Sequence, residues 1–151
     1  MAAQAWKLYN RAIRKLGTGT IVLPGAIRIA LHGSGGNFAT KTLTIKSTVT
    51  DEVTTGNGYT AGGKALASEA WTASGTASAG QIKFDAADPI WTATGGAINS
   101  IKGAVLFTSI AVNSGHLLAF ASLTSTAFNL GSGNTLQLVF NSAGIFTAAN
   151  A

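Results

Sequence analysis

Gly58-Tyr59-Thr60-Ala61-Gly62-Gly63-Lys64-Ala65 has the spacing of a phosphate-binding loop: two glycines with four residues between them, then lysine. In such a loop backbone N–H groups close round the phosphates, the lysine reaches the outer ones, and a Ser or Thr hydroxyl after the lysine ligates magnesium. Ala65 stands where that hydroxyl belongs. Val53-Thr54-Thr55 leads in, and a strand-like segment rather than a helix follows Lys64. Nucleotide binding is therefore not expected. Gly56-x-Gly58-x-x-Ala61 imitates a dinucleotide fingerprint and fails on the same context. Lys64 is expected to be a solvated strand residue, open to a role in subunit contact.

Other pairs of chemically able residues read as scaffold too. Asp85 and Asp88, with Pro89 next, could do acid–base work or bind calcium, but Asp-x-x-Asp-Pro between strands is ordinary turn chemistry. Asp51-Glu52 is expected to be a loop pair with weak calcium potential. His32 and His116 are the only imidazoles, and no Gly-x-Ser-x-Gly elbow or metal-ligand spacing accompanies them. Both are expected at strand ends or in loops. Trp71 and Trp91 each precede a threonine, with apolar neighbours that suggest core; exposed, they could stack sugars or bases. No basic residues are interleaved with them, which argues against nucleic acid as a partner. The sequence offers no catalytic, cofactor or metal site, and an enzyme is not expected.

Charge is scarce and unevenly placed. Only 10% of residues are charged, against a usual ~25%. Such a surface is poorly protected against association, as in a subunit of a larger assembly or a rigid secreted β protein. The net charge is +5, and Lys7, Arg11, Arg14, Lys15, Arg28, Lys41 and Lys46 all precede the first acid, Asp51. A basic end seeks an acidic partner. Cysteine is absent, which removes disulfides and thiolate chemistry together. Met1 to Ala5 carry no positive side chain, so no signal peptide is expected, and no run approaches the ~20 apolar residues that span a bilayer. The expectation is a soluble chain made in a cytoplasm, with no membrane partner.

The elements that position these residues follow from periodicity. Ala2 to Leu16 reads as a helix with Trp6, Tyr9, Ile13 and Leu16 in one stripe, Lys7, Arg11, Arg14 and Lys15 opposite, and Gly17 as the stop. From Thr18 the signals are β. Strands are expected at Thr20–Leu23, Ala26–His32, with Arg28 and His32 on its open face, and Thr40–Thr50. More are expected near Tyr59–Ala67, Ala70–Thr72, Gly80–Asp85, Ile90–Ala93, Ala97–Thr108, Leu117–Leu123, Thr126–Leu130 and Thr135–Asn141, with a small-residue tail after Phe146. That spacing suggests an all-β antiparallel sandwich, jelly-roll in type, with one short N-terminal helix. The division expected is a basic helical arm over residues 1–17 and a β-sandwich domain over residues 18–151.

Three groups of residues resemble a known family. They are Lys7-Leu8-Tyr9-Asn10 with Leu16-Gly17; Gly58-Tyr59-Thr60-Ala61-Gly62-Gly63 with Leu66; and Phe84-Asp85-Ala86-Ala87-Asp88, Trp91-Thr92-Ala93 and Gly95-Gly96 leading into Ala104-Val105-Leu106-Phe107. Their order and spacing, from about Lys7 to Phe140, are similar to those of small virion structural proteins of tailed bacteriophages. In that family the strand ending here at Phe107 often ends in Tyr followed by Asn-Asp, where this chain has Thr108-Ser109. The resemblance implies a β-sandwich subunit of the phage particle, made in the host cytoplasm and carried on the virion. Within that class a capsid decoration, or cement, protein is expected. Its partners would be the major capsid protein and further copies of itself, as a homotrimer suited to local three-fold positions. Lys7, Arg11, Arg14 and Lys15 are the expected contacts with the capsid or with other subunits. The alternatives are a tail or fibre component, which would expose Tyr59, Trp71 or Phe128, and a carbohydrate-binding β-sandwich module using Trp71 and Trp91.

Overall fold

The computed structural model describes residues 5–74, 81–109 and 115–149. It is all-β with one helix, and every strand pairing is antiparallel among the described residues. The strands are β1 (Lys7–Leu8), β2 (Ile27–His32), β3 (Lys64–Ala65), β4 (Ala70–Ser74), β5 (Gln81–Asp85), β6 (Ile90–Thr92), β7 (Ile98–Ile101), β8 (Gly103–Thr108), β9 (Leu117–Ser122), β10 (Phe128–Leu130), β11 (Thr135–Gln137) and β12 (Phe146–Ala149). The helix α1 spans Asn10–Gly17.

The principal sheet has five strands in the order β1-β9-β8-β2-β3. Its centre is apolar on both faces: β8 (Gly-Ala-Val-Leu-Phe-Thr) is buried at all six positions, and β9 at all but its last. Such continuous burial needs cover on each face. Cover comes in part from α1, which packs on β9, and from the loop from Gly33 to Val53, which lays Phe38 and Val49 into the core. Gly103 has no side chain because the Phe38 ring occupies that space. Two two-stranded sheets, β10-β7 and β11-β6, and a three-stranded sheet β12-β5-β4 complete the fold.

The three-stranded sheet has one apolar and one polar face. Register aligns Trp71, Phe84 and Phe146 across it, with ring centroids 5.5–6.5 Å apart. Lys83 and Asp85 point the other way and pair at 3.4 Å. This sheet contains the strand that the sequence does not announce. Phe146–Ala149 is β12 and pairs with β5, where a tail is expected after Phe146. After Phe146 its residues are small and carry no alternation, so the partner strand specifies it.

The N-terminal segment also differs from expectation. Lys7 and Leu8 are strand rather than helix, opposite Phe120 and Ala119 of β9. Tyr9 has extended backbone, is fully buried, and donates its hydroxyl to the Phe38 carbonyl at 2.6 Å. The helix therefore begins only at Asn10, and Trp6 is not on it. Residues 7–12 are stitched into the main sheet and its cover, not held off as an arm. The inner line of α1 runs through buried Ala12 and half-buried Leu16, while Ile13 is 63% exposed. Ala12 lets the helix lie close to β9, which turns Ile13 to the flank.

Elsewhere the strands are shorter than expected. Thr20–Leu23 is a bend that buries Ile21 and exposes Val22, and Thr40–Thr50 is turns and one short 3-10 helix, Lys46–Thr48. Ala97–Thr108 divides at Lys102 into β7 and β8, with Ser100 at φ 58° just before the break.

Candidate functional site

The phosphate-loop stretch resolves into a cradle for a carboxylate of this chain. Glu52 Oε1 accepts the Tyr59 hydroxyl at 2.8 Å and the Gly62 N–H at 2.6 Å. Its Oε2 accepts the Lys46 ammonium at 2.7 Å. Tyr59 in turn accepts the Leu31 N–H at 3.1 Å, tying the cradle to the centre of β2. Arg28 clasps the same loop from β2, donating from Nε to the Gly62 carbonyl at 2.8 Å and from Nη2 to the Gly63 carbonyl at 2.6 Å. Gly63 has φ 63°, and a Cβ there would run into the Ile29 carbonyl oxygen. These glycines permit close packing on β2. Tyr59 is buried, so it is not an exposed loop aromatic.

Burial alone would raise the Glu52 carboxyl, but the hydrogen bond and charge of Lys46, then Tyr59 and Gly62, outweigh it and hold the group below its ordinary range. Tyr59 is raised by burial and by the Glu52 charge. Lys46 also lies over the Phe107 ring, 5.5 Å from its centroid. Next to this network His32 is fully buried instead of sitting on an open face, because the Gly33–Val53 loop covers that end of β2. Its Nδ1 lies 3.1 Å from the Thr50 carbonyl, and its Nε2 is buried without a partner among the described residues. Burial, then Lys46, pushes its pKa down to about 4. Glu52 is the residue sequence reasoning missed. It reads as half of the Asp51-Glu52 loop pair, and an acid six residues after a lysine and seven before a tyrosine carries no periodic signal.

The other candidates separate. Lys64 is half-buried on β3: its ammonium sits 5.3 Å from the Trp91 ring centroid and donates to the Ile90 carbonyl in an exposed contact. Trp91 is core, while Trp71 and Phe128 are half-buried. Asp85 and Asp88 do not act together. Asp85 accepts Lys83 and its neighbour's N–H from Ala86, and Asp88 caps the Phe140 N–H at 2.8 Å across 52 residues of chain.

All four expected contact residues fall on two adjacent elements. Lys7 is exposed on β1, and Arg11 and Arg14 are exposed on α1. Lys15 is half-buried, and its ammonium lies 2.7 Å from His116 Nδ1 and 3.4 Å from the Thr44 carbonyl. An ammonium can only donate, so His116 accepts at Nδ1 and is neutral in this contact. Desolvation, then Arg11, lowers the Lys15 pKa; desolvation, then Lys15, lowers that of His116.

Charge is divided between two roles. Each of the five acidic side chains accepts hydrogen bonds from the chain itself: Asp51 from Gly35 N–H, Glu52 and the two aspartates as above, and Glu69 from the Gly25 and Ile27 N–H groups, both at 2.9 Å. Among the described residues only Lys46 and Lys83 form ion pairs with acidic side chains. The side chains of Lys7, Arg11, Arg14, Lys41 and Lys102 have no hydrogen-bond or ion-pair partner among the described residues. Four of those five lie on β1, on α1, or at Lys41, whose carbonyl accepts the Asn10 N–H at 2.9 Å. The unneutralised charge is gathered at one end of the main sheet. Among the described residues no helix is long and apolar enough to cross a membrane. No family model matches the chain, and no match is found among curated proteins or solved structures.

Proposed function

We propose that the chain is a structural subunit of a tailed-phage particle, a decoration protein that binds the outer face of the capsid through its basic N-terminal surface. The observation that carries this reading is the division of charge. The acids are consumed by internal backbone amides, while the side chains of Lys7, Arg11, Arg14 and Lys41 stand free on or beside β1 and α1. Free cations on a rigid face, on a chain otherwise poor in charge, suit a broad anionic protein surface. The family resemblance in the sequence supplies the kind of partner, the major capsid protein. Copies of the chain associate as a homotrimer at local three-fold positions, and many modest contacts add up over the lattice.

Imaging of the intact particle tests this. Density for the chain at symmetric positions on the head is the expected result. Density on the tail alone, or none, overturns it.

A further inference from the structure

Lys15 and His116 meet across 101 residues of chain, with the ammonium 2.7 Å from the imidazole Nδ1. The contact keeps the ring neutral, because Nδ1 must accept. The ring proton then sits on Nε2, so ring and ammonium each have a donor left to offer. Acceptors are scarce. The Thr44 carbonyl is 3.4 Å from the ammonium, beyond the usual hydrogen-bond range. All five acidic side chains take their hydrogen bonds elsewhere. Arg11 stands four residues before Lys15, on the same face of α1, exposed and with no side-chain partner among the described residues.

Backbone, not attraction, brings the two groups together. His116 is fixed by a bridge to Ile45, and its N–H donates to the Thr108 hydroxyl at 2.8 Å. Every charged neighbour of the ring is a cation. The helix α1 supplies Lys15 and Arg11. The loop beside it supplies neutral Thr44 and Ile45, then Lys46, whose side chain turns away to Glu52. Thr108 of β8 and Leu117 of β9 are neutral. Desolvation, then Lys15, lowers the His116 pKa, and desolvation, then Arg11, lowers that of Lys15.

We propose that Arg11, Lys15 and His116 form a proton-linked carboxylate site. An acidic side chain of the partner draws the Lys15 ammonium off Nδ1, and the freed imidazole takes a proton from solvent and becomes a third cation. This deepens the capsid-binding reading and rests on it for the partner's identity. A second copy of the chain has no spare acid to give, since all five are engaged. A free ion is held weakly at an open surface, so the carboxylate arrives on a macromolecule. Tyr9 and Phe120, the rings packed behind α1, are buried and give nucleic-acid bases no platform to stack on. Binding gains a proton. It therefore tightens as pH falls through the imidazole range, and slackens only where the partner's own carboxylate is protonated, at about 4.

Blocked hexaglutamate and hexaglutamine peptides, titrated into the whole protein at constant ionic strength and followed by NMR, test it. The glutamate peptide should bind at least about fivefold more tightly at pH 5.5 than at pH 8, the low end of ordinary coupling between two sites. At pH 6 its addition should carry the His116 ring nitrogens from the neutral to the doubly protonated form, a reading on the wild-type protein that needs no variant. Lys15→Ala should weaken binding at every pH and raise the His116 pKa in the free protein. His116→Gln should flatten the pH profile while His32, the other imidazole, stays in place. Lys102→Ala, outside the cluster, should change neither. A ring that stays neutral with peptide bound, an affinity constant from pH 8 to 5.5, or a profile that survives His116→Gln overturns the proposal. So does equal binding of the glutamine peptide, or tighter binding of a short DNA duplex. Purified capsids separate this from the functional reading. Proton-linked peptide binding without capsid binding removes the shell and keeps the site; capsid binding untouched by Lys15→Ala and His116→Gln removes the site and keeps the shell.

Discussion

Glu52 places a negative charge where only 19% of its side chain meets solvent and surrounds it with three donors. Glu52→Gln would leave the Lys46 ammonium, 5% exposed, without its counter-charge. Breaking a buried pair from one side costs about 3 kcal/mol or more, so urea denaturation should show a loss of that size. Tyr59→Phe should cost about 1–3 kcal/mol, since the Leu31 N–H and one Glu52 oxygen would lose a partner. His32 and Glu52 also set the response to acid. The His32 pKa falls from 6.5 to about 4 on folding, so the unfolded chain takes up a proton that the folded chain refuses. The stabilisation is complete above pH 6.5 and is lost as pH falls from there to about 4, amounting to at most about 3 kcal/mol. Glu52, also depressed, acts in the same direction at lower pH, from its ordinary range downward. Thermal melts from pH 7 to pH 4 should show a steady decline. His32→Phe should flatten its upper part, from pH 6.5 to 5, and a wild-type melting temperature constant over that interval would contradict the assignment.

At the scale of elements, contact with the sheet decides what propensity leaves open. Ala12 is the point where α1 touches the main sheet, so Ala12→Leu should overpack it and cost about 1–3 kcal/mol. Ile13→Ser, one residue on, should cost almost nothing, which a pair of thermal melts would check. Gly63→Ala should destabilise strongly, because the loop must then move off the Ile29 carbonyl. The sequence made much of this visible: β2, β5, β6 and β9 announce themselves through branched or aromatic runs, and the P-loop imitation fails at Ala65. It hid α1's true start, since Lys7-Leu8-Tyr9 suits either a helical turn or an edge strand and only β9 chooses between them. It hid β12 for the same reason. His32 looked open because β2 alternates, and the loop that covers it is irregular backbone with no periodic signature. Of the basic residues, position along the chain announced the cluster, but not that Lys15 is taken up by His116 while Lys41 joins from another turn.

The whole molecule behaves as a neutral body with one cationic end. On the proposed decoration role, binding through that end should weaken as salt rises, because the Debye length shrinks from ~10 Å at 0.1 M to ~3 Å at 1 M. Reversing both charges, Arg11→Glu with Arg14→Glu, should reduce capsid binding at least about tenfold and leave the melting temperature within about 2 °C. Lys102→Glu, which removes a free cation outside the cluster, should change binding little. Co-sedimentation with purified capsids at 50 and 500 mM salt checks both; equal effects from the two variants would mean that net charge, rather than its placement, governs attachment.

The ends of the main sheet carry a further consequence. β1 and β3 flank its long inner strands, and each is only two residues long. A strand edge with free amides and carbonyls is a template on which another chain can add, and proteins often guard such edges with lysines. Here each edge strand carries one, Lys7 in β1 and Lys64 in β3. The sheet's short terminal strands leave almost no ladder for a neighbour to extend, so copies crowded side by side can meet face to face without zipping into a common, fibril-forming sheet.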